Sequence, residues 1–354
     1  MHHGMFTSMQ SKIPDPVERV EEQWSHAGKL FLASIAALYF ELLVIRYIGT
    51  EIRVFTNLKN IPLMACFFGL GLGMILGKPR RHFLLLFPLI GLILFSATRY
   101  AQWLHLANVD LMWTYDLSQR VAGTLALRVI STFEFIGLVM GFCALIVSFF
   151  VVFGEFVGGP LRYVPGLMGY GVNLAGSLAG ALLFSIAAFL NFGPVIWLLV
   201  GFALLVPLVR GKWQLVLFLV TIAAVAKPEP NTFWSPYSRI DFVPLTPPSG
   251  STKVAAYSLV TNHLWHQWAA DLSPDFLLRY PQATPNALIA PYADLVYRLV
   301  PNPRNVLVLG SGTGNDVAGA LRHGAQHIDA VESIHRFCGW ACDSIPKIRT
   351  ALLA

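Results

Sequence analysis

Charge is what this chain has least of. Only 12% of its 354 residues are Asp, Glu, Lys or Arg, while 55% are hydrophobic. That is about half the charged share of an ordinary soluble domain. A surface so poor in charge cannot be wetted all round, which excludes a wholly water-soluble fold. Cysteine is scarce as well, with four in the chain. Cys66 and Cys143 lie in apolar runs and Cys338 and Cys342 near the C-terminus, so neither a disulfide framework nor a cysteine-built metal site is expected. The net charge of +6 is modest. Its basic residues mostly flank apolar runs, where loop orientation and lipid headgroups account for them, and no nucleic-acid partner is expected. The first 26 residues are polar and mixed in charge, with no cleavable secretory signal among them. His2 and His3 are not read as metal ligands.

What the chain has instead is long apolar blocks. Residues 1–28 read as a cytosolic arm, with Val17–Trp24 a short interfacial helix, and 29–226 as a multi-spanning region of six to eight helices. The blocks are Lys29–Ile48, Ile61–Gly77, Phe83–Ala97, Thr132–Phe153, Leu167–Leu190, Pro194–Val209 and Gln214–Ala226. Trp103, Trp113 and Tyr115 fall between the third and fourth, at interfacial depth. Three polar residues stand out within the blocks. Glu41 is expected to be neutral or paired inside the bundle, the alternative being a functional carboxylate; Glu134 lies near the start of its block, and Asn173 can hydrogen-bond to a neighbouring helix. Gly69, Gly73 and Gly77, and again Gly176 and Gly180, recur every fourth residue and give bare faces for close helix packing, within the chain or between copies. Lys78, Arg80 and Arg81 place one loop in the cytosol of a cell whose inner membrane the chain crosses. A cytosolic C-terminal part then needs an even number of crossings, against seven blocks. Either one of the last two short blocks does not cross, or Val121–Phe153 hides two crossings.

From Lys227 the composition turns polar and rich in proline. Residues 227–300 read as a linker, a β-hairpin of Ile240–Leu245 with Val254–Thr261, and a helix within Leu277–Val300 that leads into a second element. Residues 301–332 carry the most informative stretch, NVLVLGSGTGNDVAGALRHGAQHIDAVE from Asn305 to Glu332. Val306–Leu309 is a short unbroken apolar run, the pattern of a parallel strand buried on both faces. Gly310, Gly312 and Gly314 follow, with Ser311 and Thr313 between them. Asn315 and Asp316 supply capping chemistry for a helix over Val317–Leu321, and Gly324 can end it in a left-handed cap. Ile328–Val331 is a second strand with Glu332 at its edge. The dinucleotide fingerprint would need a glycine at Asn315. The alternating G-x-G-x-G instead suits close approach of backbone to an adenosyl group bearing an amino acid or amine. Glu332, 18 residues after Gly314, is placed to accept from two ribose hydroxyls. S-adenosylmethionine or its decarboxylated form is the expected cofactor, held by Gly310, Ser311, Gly312, Thr313, Gly314, Asp316 and Glu332.

Five stretches together carry a family resemblance: YFELLVIRYIG, GLGLGMILG, YGVNLAGSLAGALL, WSPYSRI and VLVLGSGTGNDVAGALRHGAQHIDAVE. The chain resembles the membrane-fused spermidine synthase-like proteins, in which a multi-spanning region precedes a domain similar to aminopropyltransferases and other S-adenosylmethionine-dependent transferases. The resemblance implies an α-helical polytopic membrane bundle, a small β element and a Rossmann-like, cofactor-binding α/β fragment. It also implies that the three glycines line the cofactor and that Glu332 holds its ribose. The polyamine enzymes have glutamine where this chain has Ser238, an aspartate where it has Thr313 (with Asp316 a substitute), and a His-Glu pair where it reads Pro291, Tyr292, Ala293 and Asp294. Methyl transfer and aminopropyl transfer therefore both stay open, as does the small-molecule acceptor.

After Glu332 that family continues with I-D-P and an H-P-E-x-P-Y run, but residues 333–354 read SIHRFCGWACDSIPKIRTALLA. Permitted codons for this tail become IDPSILWMGLRLHPENPY when one base is restored after the codon for Glu332. The tail is thus expected to be the out-of-frame product of a single-base deletion, leaving a truncated α/β fragment with little or no catalysis. Two readings from other classes compete with the enzyme. In one the bundle is a transporter or binding module for a cation or polyamine, its path lined by Glu41, Glu134 and Asn173. In the other the chain is a structural membrane subunit, which explains the glycine faces but not the glycine turn.

Overall fold

A computed structural model describes residues 16–77, 81–101, 125–209, 211–227, 229–245, 256–270, 278 and 286–332. His2, His3, Lys78, Arg80, Trp103, Trp113, Tyr115, Cys338, Cys342 and the expected frameshifted tail lie outside these residues. The chain divides into two compact units. The first comprises residues 1–48, 58–186 and 194–226, and the second comprises 49–57, 187–193 and 227–354.

The first unit is helical. Its elements are α1 (Pro16–Glu51) and α6 (Gly166–Phe189), whose last turns belong to the second unit, with α3 (Asn60–Leu76), α4 (Arg81–Arg99), α5 (Leu125–Leu161), α7 (Pro194–Leu205) and α8 (Lys212–Val225); α2 (Arg53–Asn57) is a short helix of the second unit. Among the described residues three helical stretches are long and apolar enough to cross a membrane: Trp24–Glu51 of 28 residues, Thr132–Leu161 of 30 and Gly166–Phe189 of 24. Their outward sides are apolar, with Phe133, Met140, Leu178, Leu182 and Ile186 all exposed, a surface that suits lipid. The 12 residues of α7 and 14 of α8 rise only about 18 and 21 Å, short of a hydrocarbon core of about 30 Å. The two crossings that the sequence could hide between Val121 and Phe153 are corrected by α5, one unbroken helix of 37 residues. Nothing in it breaks the ladder, since its only proline, Pro160, sits in the last turn.

Both glycine faces are used inside the chain. A Cβ on Gly69 of α3 would stand 2.6 Å from the Val147 carbonyl of α5; Gly73 and Gly154 back onto each other in the same crossing. On α6, a Cβ at Gly176 would stand 2.6 Å from the Phe31 carbonyl of α1, and Gly180 lies as close to Ile35. At Gly69, Gly73, Gly176 and Gly180 it is backbone of the same chain that fills the bare face. Beside the second crossing, Ser34 donates to Asn173 Oδ1 at 2.7 Å, the interhelical bond the sequence suggests. Phe40 anchors the core, with the rings of Phe95, Phe149, Phe153 and Phe202 at centroid distances of 5.2 to 6.5 Å.

The second unit holds two sheets. The larger is antiparallel, in the order β1 (Thr232–Trp234), β2 (Arg239–Leu245), β3 (Ala256–Thr261), β4 (Leu264–Ala270). The expected hairpin is present as β2 and β3, with Ile240 opposite Thr261 and Leu245 opposite Ala256, and β1 and β4 extend it on either edge. Ile240, Phe242 and Leu259 form its core, the alternate positions of strands with one face covered. The smaller sheet is a parallel pair, β5 (Asn305–Leu309) and β6 (His327–Val331), joined through α10 (Asn315–Arg322) and preceded by α9 (Asn286–Leu299). The lead-in helix, Asn286–Leu299, falls within the expected span of Leu277–Val300.

Candidate cofactor site

The turn from β5 into α10 needs its three glycines. Gly310, Gly312 and Gly314 have φ of 72°, 53° and 86°, in the left-handed region where a Cβ is strained. Gly324 also has positive φ, as its place after α10 predicts. The turn is tied to the tip of the parallel neighbour. Gly310 N and Ser311 N donate to the Val331 carbonyl at 2.8 and 3.1 Å, and Gly314 N donates to the Ser311 carbonyl at 2.8 Å. Glu332, one residue beyond β6, accepts from Gly312 N at 2.7 Å. The strand, the glycine bend and the carboxylate that the sequence singles out thus come together in one place.

Other expectations for this stretch are corrected. Asn315 and Asp316 do not cap α10: its N-cap is Gly314, with no side-chain cap bond. The amide of Asn315 is drawn off to the Trp268 carbonyl of β4 instead. Asp316 is exposed in the first turn, where the helix dipole favours a carboxylate. Thr313 is 0% exposed and Ser311 is buried, so their side chains face protein, and Thr313 Oγ1 donates to the same Trp268 carbonyl at 3.4 Å. Only their backbone is left to meet a ligand. β5 is not buried on both faces: Val308 is buried, but Leu309 is 74% exposed and Leu307 is exposed with it. Two parallel strands with α9 and α10 cover one face only.

Gln267 of β4 is the residue that sequence reasoning missed. A Cβ on Gly312 would run into its side-chain amide, which therefore lies directly over the turn. Its Nε2 is buried without a hydrogen-bond partner among the described residues. A buried amide donor left unmade is costly, about 1–3 kcal/mol, and its place over the glycine bend suits an acceptor on a ligand. The one signal in the sequence is a lone amide within LWHQWAA.

Behind the turn, a cavity of about 440 Å³ is lined by Tyr292, Val296, Tyr297, Val300, the length of β5 and Asp316. Burial first, then Asp316 and Asp294, hold the Tyr297 phenol above its usual range. On α9, Tyr292 is exposed and Asp294 pairs with Arg322 and with His323 at 3.3 Å, tying α9 to α10. The SPYS segment closes on itself. Ser235 Oγ accepts from Ser238 N at 2.9 Å, so the backbone of Ser238 closes a turn.

Within the helical unit, Glu41 is 3% exposed and its Oε2 has no hydrogen-bond partner among the described residues. Glu134 is exposed on α5, so the three residues of the envisaged transport path are not enclosed together. Glu155, at 0% exposure in α5, is a further buried acid that the sequence reading passed over, although FFVVFGEFVGG displays it. Among the described residues no group of three or more His, Cys, Asp or Glu could hold a metal ion. Comparison with known protein families, with curated proteins and with solved structures returns no match for this chain.

Proposed function

We propose that this chain is a membrane-anchored, spermidine synthase-like protein whose second unit binds S-adenosylmethionine or its decarboxylated form for methyl or aminopropyl transfer. One observation carries this reading: in a parallel β5–α10–β6 unit, a bend of left-handed glycines meets the carboxylate of Glu332 at the tip of the neighbouring strand. Bare backbone admits the adenosyl group closely, and the strand-tip carboxylate accepts from its ribose. A carboxylate offers about four lone-pair sites, more than the bond from Gly312 uses. The Gln267 amide supplies a donor above the bend, and Asp316, an acid lining the adjoining cavity, suits a cationic amine. Because the cofactor is made in the cytosol, the second unit belongs on that side of the inner membrane.

Equilibrium dialysis of the full chain in detergent against radiolabelled S-adenosylmethionine tests the reading. Wild-type protein should retain label, and Glu332→Ala should weaken retention by about tenfold or more, as expected for losing a charged hydrogen bond of about 1.5–3 kcal/mol. Equal retention by the variant would sink the assigned role of Glu332.

A further inference from the structure

Gln267 can serve a ligand at the glycine turn only if β4 keeps its register there, and the structure shows what sets that register. β3 passes to β4 through a two-residue turn, Asn262–His263, with Thr261 opposite Leu264. Both turn residues have positive φ, 49° and 61°. Such a turn matches the twist of its strands, and glycine is the usual second residue because a side chain is strained there. Here the second residue is histidine, held from two sides. Its carbonyl accepts from Arg53 of α2, through Nε at 3.1 Å and Nη2 at 2.6 Å. Its ring nitrogen Nε2 meets Glu51, the last residue of α1, at 3.1 Å.

Glu51 is in turn held by Arg239 of β2, whose Nη1 reaches both carboxylate oxygens at 2.7 and 2.8 Å. The same guanidinium reaches Asp241 at 3.1 Å and Glu229 at 2.7 Å. Arg239 also fixes the other turn residue through its backbone: its N donates to Asn262 Oδ1, and Asn262 N donates to its carbonyl, both at 3.0 Å. Every group in this cluster belongs to the second unit. A one-residue slip of a strand turns each side chain to the opposite face. The turn fixed at Asn262–His263, followed by the register shift that skips His266 and sets Gln267 opposite Leu259, therefore decides that Gln267 lies over Gly312 and that the Trp268 carbonyl meets Thr313 and Asn315.

We infer that Glu51, Arg53, Arg239 and His263 are positioning residues for the glycine turn, gripping the β3–β4 turn so that the end of α1 sets how β4 holds Gly310–Gly314. The inference names a regulator of the proposed cofactor site and rests on that reading for its ligand, while the mechanical link stands on geometry alone. Hydrogen–deuterium exchange on the full chain in detergent tests it with the variants His263→Gly and His263→Gly with Arg53→Met.

Glycine is the better turn residue at this φ, so a purely local role for His263 predicts unchanged or slower exchange throughout. Positioning predicts about tenfold faster exchange in a peptide covering 310–314, while the ladder amides of β5 and β6 stay within about twofold. Faster exchange confined to 49–57 and 256–264 would overturn the inference, as would no change in either variant. Added S-adenosylmethionine forms a separate arm. Protection of 310–314 in the wild type bears on the cofactor reading alone, and its absence leaves the comparison of variants to decide the link.

Discussion

Replacing Arg239 by methionine should destabilise the second unit by about 3–5 kcal/mol, the usual consequence of removing one partner from a buried ion pair. The guanidinium is almost fully enclosed and stands among three carboxylates, those of Glu51, Asp241 and Glu229. Without it, Glu51 keeps its burial and loses its cation. Lysine in the same place retains the charge but lacks the planar fork that takes both oxygens of Glu51 while reaching Asp241, so Arg239→Lys should recover only part of the loss. The double variant Arg239→Met with Glu51→Met should be milder than Arg239→Met alone, because the most deeply buried of the three carboxylates is then no longer stranded. Pulse proteolysis of the full chain in detergent over a urea series, following fragments from 227–332, checks all three. A loss under about 1 kcal/mol for Arg239→Met would show that the cluster behaves as an exposed salt bridge does.

In the helical unit, valine at Gly73 should destabilise the packing of α3 on α5 by about 3 kcal/mol, the upper end for overpacking. The added Cβ would meet the Val151 carbonyl and lie 2.8 Å from the Gly154 Cα. Backbone opposes backbone there, so no side chain can swing aside and the helices must separate. The same chain holds its own control: a Cβ at Gly71, two residues away, has nothing within 4 Å, and Gly71→Val should fall within about 0.5 kcal/mol of wild type. Unfolding in mixed micelles, read by far-ultraviolet circular dichroism, separates the two. Equal effects at both positions would mean that helix propensity alone, not the crossing, governs them.

These two sites differ in how far the sequence revealed them. A glycine every fourth residue is a local pattern, so the bare face of α3 was legible, but which helix fills it was not, because the pattern looks the same for a partner in the chain or in another copy. Arg239 sits 188 residues from Glu51, and nothing in either neighbourhood announces the other. The β2–β3 hairpin and the β5–α10–β6 unit were legible because strand period, glycine placement and capping chemistry are local signals. β4 was not, since LWHQWAA mixes large aromatics with polar residues and lacks a clean alternation. Its hold on the glycine turn explains the misreading of Asn315, which looks like a helix cap although the Trp268 carbonyl takes its side-chain amide. The length of α5 was underestimated because hydropathy marks its membrane-like centre, whereas the helix runs on to Leu161 past the apolar core.

The claim that the glycine bend receives an adenosyl sulfonium is tested most directly by calorimetric titration of the full chain in lipid nanodiscs with S-adenosylmethionine. Saturable heat at one cofactor per chain, abolished by Gly312→Val at the left-handed position under Gln267, is the expected result. No heat at about 1 mM cofactor, from protein whose β5–β6 amides remain protected from exchange, would contradict the claim and leave the helical unit to carry the function.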